Sequence, residues 1–367
     1  MNHKSSRNYL LIYANLPRGG AKLTQKLLFR DIIKTHNAKY VTEPKYKINN
    51  LAGYLFTSLI VSPSIQKRII LRNSHNLLIA YQSWLVKSPS ILRYAHIKPI
   101  YICHEPPLEF YDTKRIRLHS LKEIIMNIIR LPIKWLDKYN VTKSKPIIIA
   151  NSKYEKMLID KVYKTQSTVI YPGIEVNKYL PRNHDENTNN QVIIVGAINK
   201  YKRQEFAVDV IGNIDKSIRP TLLLVGNGSD KKYVTKITRK ARLLGVRIII
   251  KINISEKNKI KELHKSRAFI YSPVSEPFGI VIEEAVASGL PILSYKLGGG
   301  YAEVIDKSNG PIFNNLVPDE WAKELAKILT DSDLRKQYRN NNMSYAKTNF
   351  RVEDTNKQII SVVNSCL

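Results

Sequence analysis

The 367-residue chain alternates short apolar runs with longer segments whose apolar positions recur at three- and four-residue spacing. The runs "YLLIYA" (9–14), "NLLIAY" (76–81), "PIYIC" (99–103), "PIIIA" (146–150) and "TVIYP" (168–172) predict five strands in the first half. "QVIIVG" (191–196), "TLLLVG" (221–226), "VRIIIK" (246–251), "AFIYSP" (268–273) and "PILSY" (291–295) predict five more in the second. Helical periodicity occupies many of the gaps, at Lys22–Thr35, Gln204–Ile214, Asp230–Leu244 and Lys257–Lys265. Strands this rich in Ile, Leu and Val, alternating with helices, imply parallel sheets covered on both faces. The expected fold class is therefore α/β. The length exceeds one ordinary core and suits two domains. The clearest break in composition is the polar run "PRNHDENTNNQ" (181–191), which reads as a linker or hinge. The expected domains are 1–183 and 190–340, both doubly wound and Rossmann-like, with a final helix at about 340–367 that packs back on the first. Two such domains would face a central cleft lined by the C-terminal ends of both sheets, where ligands of open α/β sheets bind.

A hydrophobic content of 43% and a charged content of 24% are those of a globular chain, which excludes a disordered one. Cys103 and Cys366 follow no metal or redox spacing, so a reducing, cytoplasmic setting without disulfides is expected. The apolar stretch Tyr9–Ala14 runs into a glycine turn and reads as a first strand, not a signal peptide. No apolar run approaches the length of a membrane-spanning helix.

Charge changes the picture more. Of the net +29, residues 1–180 carry 30 Lys/Arg against 10 Asp/Glu, and the remainder 29 against 20. Between Glu43 and Glu105 eight basic residues occur and no acidic one. This asymmetry points to an anionic partner: nucleic acid, an anionic membrane surface or a phosphorylated substrate. A lysine-rich coding bias gives the same excess. Nucleic acid is the weakest of the partners, because no recognition helix, zinc-finger spacing or RNA-binding aromatic pair accompanies the charge. The segment 113–139, "TKRIRLHSLKEIIMNIIRLPIKWLDKY", mixes cations with Ile, Leu, Met and Trp. It suits the surface of an anionic membrane, or equally an amphipathic helix packed on its own domain and interrupted at Pro132.

The chemistry concentrates in "SEPFGIVIEEAVASGLPILS" (275–294). Glu276 falls in the loop after a predicted strand, and Glu284 about two turns into the helix that follows. Amides of Phe278, Gly279 and Ile280 at that helix start can receive an anion. Beside them Glu283 reads as a solvated or ion-paired helix residue. The glycines of "KLGGGYAEVI" (296–305), among them Gly299 and Gly300, let backbone approach a phosphate and lead into another helix start. A plain turn fits them as well.

In order and spacing these motifs resemble those of family 4 retaining glycosyltransferases, with their E-x7-E signature and two-domain GT-B fold. Glu276 and Glu284 fill the two glutamate positions, and Glu283 takes a place usually apolar. The likeness extends to "LPRGGAK" (16–22), "YICHEPP" (101–107), "IIIANSKYEKMLI" (147–159), "VIYPGIEVNKYLP" (169–181), "VGAINKYKRQEFAVD" (195–209) and "LLLVGNGSD" (222–230). The resemblance implies a nucleotide-sugar donor, GDP- or UDP-linked, and a glycan or lipid-linked acceptor. Glu284 would bind the ribose and Glu276 the donor sugar. The amides at 278–280, with Gly19 and Gly20, would hold sugar and diphosphate. His104 would lie near the anomeric centre, and Lys202 would neutralise the departing diphosphate without a metal or other cofactor. One departure stands out: Ala197 follows Gly196 where the family commonly has arginine, so either Lys202 suffices, or Arg203 or Lys200 swings in, or the enzyme is slow or altered in donor use. A GT-B relative that has lost catalysis is the alternative this departure leaves open.

Overall fold

The computed structural model describes residues 9–16, 20–106, 111, 121–181 and 189–367. Gly19, most of the polar run at 181–191 and the beginning of the cationic segment at 113–139 lie outside the described residues. The chain divides into two units, residues 1–171 with 353–367, and residues 172–352. The division falls at Tyr171-Pro172, ahead of the polar run.

Unit 1 is built on six parallel strands, β1 (Tyr9–Asn15), β2 (Asn37–Val41), β3 (Leu77–Ser83), β4 (Ile100–Cys103), β5 (Ile147–Ala150) and β6 (Ser167–Val169), in the order β2-β1-β3-β4-β5-β6. Side chains alternate across the sheet. Leu10 and Ile12 of β1 enter the core on one face, and Leu11 and Tyr13 the core on the other. The C-terminal helix Val352–Asn364 closes the first of these cores with Ile359 and Val363, and Asn356 Nδ2 donates to Asp31 Oδ2 at 2.6 Å.

Unit 2 repeats the plan with β7 (Gln191–Val195), β8 (Thr221–Gly226), β9 (Ile248–Ile252), β10 (Ala268–Tyr271), β11 (Ile292–Tyr295) and β12 (Ile312–Phe313), ordered β12-β11-β10-β7-β8-β9. Val192 and Ile194 feed one core and Ile193 and Val195 the other. The chain runs from β7 outward to β8 and β9, then returns to place β10 on β7's other side. That reversal is a topological switch point, and it leaves a crevice outside the C-terminal ends of β7 and β10.

The hydrophobic pattern misses two strands, β2 and β12, and both are sheet edges. An edge strand has one neighbour and one side open to water, so "NAKYV" needs no apolar run and the two-residue β12 has no room for one. A second difference concerns the glycine-rich stretch, which leads into a short 3₁₀ turn, Gly300–Glu303, in place of an α-helix.

Candidate active site

Both loops at the switch point of unit 2 carry a charged residue expected from the sequence. After β7 a 3₁₀ turn spans Lys200–Lys202, opened by Asn199, whose Oδ1 accepts from the amides of Tyr201 and Lys202 at 3.0 and 3.2 Å. The stem of Lys202 lies along Gly196 at the end of β7. After β10, Glu276 is clasped by the glycine run: its N–H donates to the Gly298 carbonyl and its carbonyl accepts from Gly300 N–H, both at 2.9 Å. Gly299 (φ +124°) lies so close that a Cβ would stand 2.1 Å from the Glu276 carbonyl oxygen, so no larger residue fits. The Gly300 amide is thus committed to Glu276 and is not open to a phosphate.

The clasp aims Glu276 at Lys202. Lys202 Nζ stands 2.6 Å from Glu276 Oε2 and 3.5 Å from the Tyr271 hydroxyl, and both charged side chains keep partial contact with water. Burial, then the charge of Glu276, pushes the Tyr271 phenol far above its usual range. Tyr271 therefore stays a protonated donor at this site.

Glu284 sits differently from expectation. Gly279 takes a left-handed φ of +79°, which delays the helix, so its regular span is Val281–Ala287 and Glu284 lies in the first turn, not two turns in. A Cβ at Gly279 would meet the Tyr271 oxygen at 2.8 Å. Phe278 is buried and Ile280 caps the helix. Glu284 is 3% exposed, with Lys259 Nζ 2.7 and 2.6 Å from its two oxygens. The Tyr179 hydroxyl stands 3.0 Å from Glu284 Oε1 and 3.0 Å from Glu256 Oε1, and its one proton serves one of them. Lys259 thus takes two of the roughly four acceptor positions of the Glu284 carboxylate, and Tyr179 a third when its proton turns to Glu284. Lys259 and Tyr179 escape a reading by motif. Lys259 is one of several lysines on the helix Glu256–Lys265, and nothing in the sequence sets it apart.

Glu283 requires a correction. Expected at the surface or in an ion pair, it is 1% exposed, and neither carboxylate oxygen has a hydrogen-bond partner. It lies in a helix whose residues from 282 to 287 are all buried. Burial, then the charge of Glu284, pushes its pKa well above the ordinary carboxylate range. An acid whose folded pKa is raised contributes stability while protonated in both states, and loses it as pH rises from the unfolded pKa toward the folded one. Glu283→Leu is therefore expected to stabilise the chain by about 1–3 kcal/mol near neutral pH. The gain should be larger at pH 8 than at pH 5 in denaturant titrations. An unchanged difference between the two pH values would mean that Glu283 stays charged in the fold.

The other candidates fall in varied places. Arg203 opens the helix Gln204–Gly212 with a left-handed backbone (φ +54°), and its Nε is buried without a partner. Lys200 is exposed, with its ammonium 5.4 Å from the centre of the Tyr201 ring. The carbonyl of Ala197 accepts from Gln204 Nε2 at 3.0 Å. In unit 1, Gly20 begins the helix Gly20–Thr35 after β1. His104 follows β4, and Gln82 Oε1 and Asn151 Nδ2 hold its backbone at 3.2 and 3.0 Å. Its ring stacks on Tyr81 at 5.9 Å. Although the residue as a whole keeps some exposed surface, its Nε2 is sealed and unpartnered. Burial lowers the His104 pKa to about 4, so the imidazole is neutral at physiological pH. The chain's Asp331-Ser332-Asp333 triplet caps a helix: Asp331 Oδ1 accepts from the amides of Asp333 and Leu334, both at 2.9 Å.

The sequence model described as "Glycosyl transferases group 1" matches residues 177–344, nearly all of unit 2. It is in these residues, a little under half of the chain, that the likeness to group 1 glycosyltransferases lies. The matched span contains every unit 2 residue placed above. The chain is 28% identical over 215 residues to the uncharacterised glycosyltransferase MJ1178 of Methanocaldococcus jannaschii, covering 58% of each. It is 24% identical over 294 residues to human alpha-1,3/1,6-mannosyltransferase ALG2, covering 74% of this chain and 68% of that one. The first of these matches thus spans less than two thirds of its relative's length. Among solved structures, Anabaena Alr3699/HepE in complex with UDP and glucose superimposes with a TM-score of 0.73 at 17% identity, covering 98% of this chain and 100% of that one. The fold is GT-B, two Rossmann-like α/β units.

Proposed function

We propose that the chain transfers a sugar from a nucleotide-sugar to a hydroxyl of a glycan or lipid-linked acceptor. The observation that carries this reading is the Lys202–Glu276 pair, 2.6 Å apart at the switch point of unit 2, with the buried Glu284 on the helix that follows. The donor would be UDP- or GDP-linked, as the UDP and glucose held by the Anabaena protein suggest. Lys202 exchanges Glu276 for the diphosphate as charge develops on the leaving group, which supplies the counter-charge a metal would otherwise give. Glu276, released, accepts hydrogen bonds from the donor sugar's hydroxyls. Tyr271 steadies the pair. The ribose takes the acceptor position of Glu284 that Lys259 and Tyr179 leave open. Attack on the same face as departure retains configuration. The test of this reading is whether the full chain binds and consumes one nucleotide-sugar with Glu276 intact.

The acceptor reading rests on unit 1. Two helices, Leu121–Ile129 and Leu131–Ser144, follow one another with only Arg130 between them. The break precedes Pro132, which is accommodated in the first turn of the second helix. That helix buries Ile133, Leu136 and Val141, while Ile125, Ile128, Leu131 and Trp135 stay exposed across both. Trp135, 65% exposed, stacks on Tyr139 at 5.0 Å, and Lys138 beside it is exposed. An apolar stripe edged by cations suits the interface of an anionic membrane. No helix of the described residues is long and apolar enough to cross one. Full-length chain is expected to sediment with vesicles containing anionic lipid, less so in high salt, and weakly after Trp135→Ala with Ile128→Ser. Sedimentation indifferent to vesicle charge would remove the membrane from the proposal.

A further inference from the structure

The N-terminal ends of β10 and β11 border a cavity. It has a volume of about 230 Å³ and lies within unit 2, bordered by Arg267, directly ahead of β10, and by Gly289 and its neighbours, directly ahead of β11. It therefore opens at the N-terminal ends of strands whose C-terminal ends lead to Glu276 and its glycine clasp. The opposite wall is one face of the helix Ser332–Asn349, which presents Arg335, Lys336 and Arg339. Like charges three and four residues apart repel along a helix.

Little on the protein answers that charge. Arg335 Nη1 donates to the carbonyls of Ile328, Leu329 and Asp331 at 2.8, 2.9 and 3.1 Å. Arg267 Nη1 stands 3.3 Å from Asn190 Oδ1 and 3.4 Å from the Leu329 carbonyl, while its Nε is buried without a partner. Among the described residues Arg339 makes neither a hydrogen bond nor an ion pair, and no carboxylate pairs with any of the three guanidinium groups. The acidic neighbours are Asp333, 3.8 Å from Lys336, and Asp331, whose charge acts on Arg335. Burial, then the charge of Arg267, lowers the pKa of Arg335, with Asp331 opposing and Arg339 adding to the shift. The stem of Arg339 crosses bare backbone at Gly289, where a Cβ would stand 2.8 Å from Arg339 Cγ.

We infer that this cavity binds an oxyanion of the phosphate type carrying two or more negative charges, such as a phosphomonoester or pyrophosphate group. Guanidinium groups offer paired N–H donors that match phosphate oxygens, and a site with three of them and no carboxylate is built for that geometry. The volume suits a phosphate or pyrophosphate group better than a whole nucleotide.

The probe is inorganic pyrophosphate, titrated by calorimetry at fixed ionic strength into the full chain carrying Lys202→Ala, which weakens diphosphate binding at the other end of the strands. One saturable site is expected, and Arg339→Gln added to that background should weaken it about tenfold or more, as loss of a charge-assisted pair requires. Because Arg339 has no partner on the protein, this change removes none of the fold's hydrogen bonds. Gly289→Ala, which displaces the Arg339 stem, is a second variant expected to weaken binding. Vesicles containing phosphatidic acid separate the sources. Sedimentation lost with Arg339→Gln assigns a lipid headgroup, and sedimentation unchanged while pyrophosphate binding is lost assigns a free anion. Equal pyrophosphate affinity with and without Arg339, or no saturable binding in either background, would overturn the site.

Discussion

Lys202→Ala is expected to lower kcat for sugar transfer by about 10²–10³-fold, the loss that follows removal of one preorganised group stabilising developing charge. The fold should tolerate it. Lys202 sits on a 3₁₀ turn, its stem lies along Gly196, and the Glu276 carboxylate it leaves behind is 15% exposed and can be hydrated. The effect should fall on kcat more than on KM, because the ammonium meets the diphosphate most strongly as the leaving group departs. Arginine at Ala197 in the Lys202→Ala background should restore part of the rate, since it would return the clamp that the resembled family commonly has. An unchanged rate in Lys202→Ala would mean that the diphosphate is neutralised elsewhere. The neighbouring Arg203, whose buried Nε lacks a partner, would then be the group to examine.

The second large effect is on stability. Lys259→Met should destabilise the chain by about 3 kcal/mol, the lower part of the range for breaking a buried ion pair from one side. Glu284 is almost wholly buried, and Lys259 contacts both its oxygens, so the truncation strands a charge that Tyr179 alone cannot satisfy. The lower part of the range applies because Lys259 itself retains contact with water. Adding Glu284→Gln should recover most of the loss while leaving donor binding impaired. Denaturant titration of the two single variants and the double one measures this coupling. Additive losses would mean that the pair contributes nothing beyond its separate residues.

The sequence made much of this legible, for identifiable reasons. Core strands such as β7 and β8 are buried on both faces, so their composition leaves no choice of state. The edge strands β2, without a buried residue, and β12, only two residues long, carry no such signal. Lys202 and Glu276 stand out through motif spacing, and both prove to occupy the loops at the topological switch of their sheet. Lys259 does not stand out, because its role depends on where the helix after β9 lies across the sheet, which no local pattern records. Glu283 misleads for a related reason. A glutamate beside a helix start ordinarily faces water, but the left-handed turn at Gly279 rotates the helix so that positions 282 to 287 are all buried. The oxyanion cavity was equally hidden, since its arginines come from two segments far apart in the chain.

The most direct measurement is calorimetric binding of a panel of UDP- and GDP-sugars, and of the free nucleoside diphosphates, to the full chain in the presence of EDTA. One nucleotide-sugar is expected to bind more tightly than its own nucleoside diphosphate, with Glu276→Ala erasing that preference while the diphosphate itself still binds. A panel in which no nucleotide-sugar binds, or a Glu276→Ala variant that keeps the preference, would contradict the assignment of Glu276 to the donor sugar.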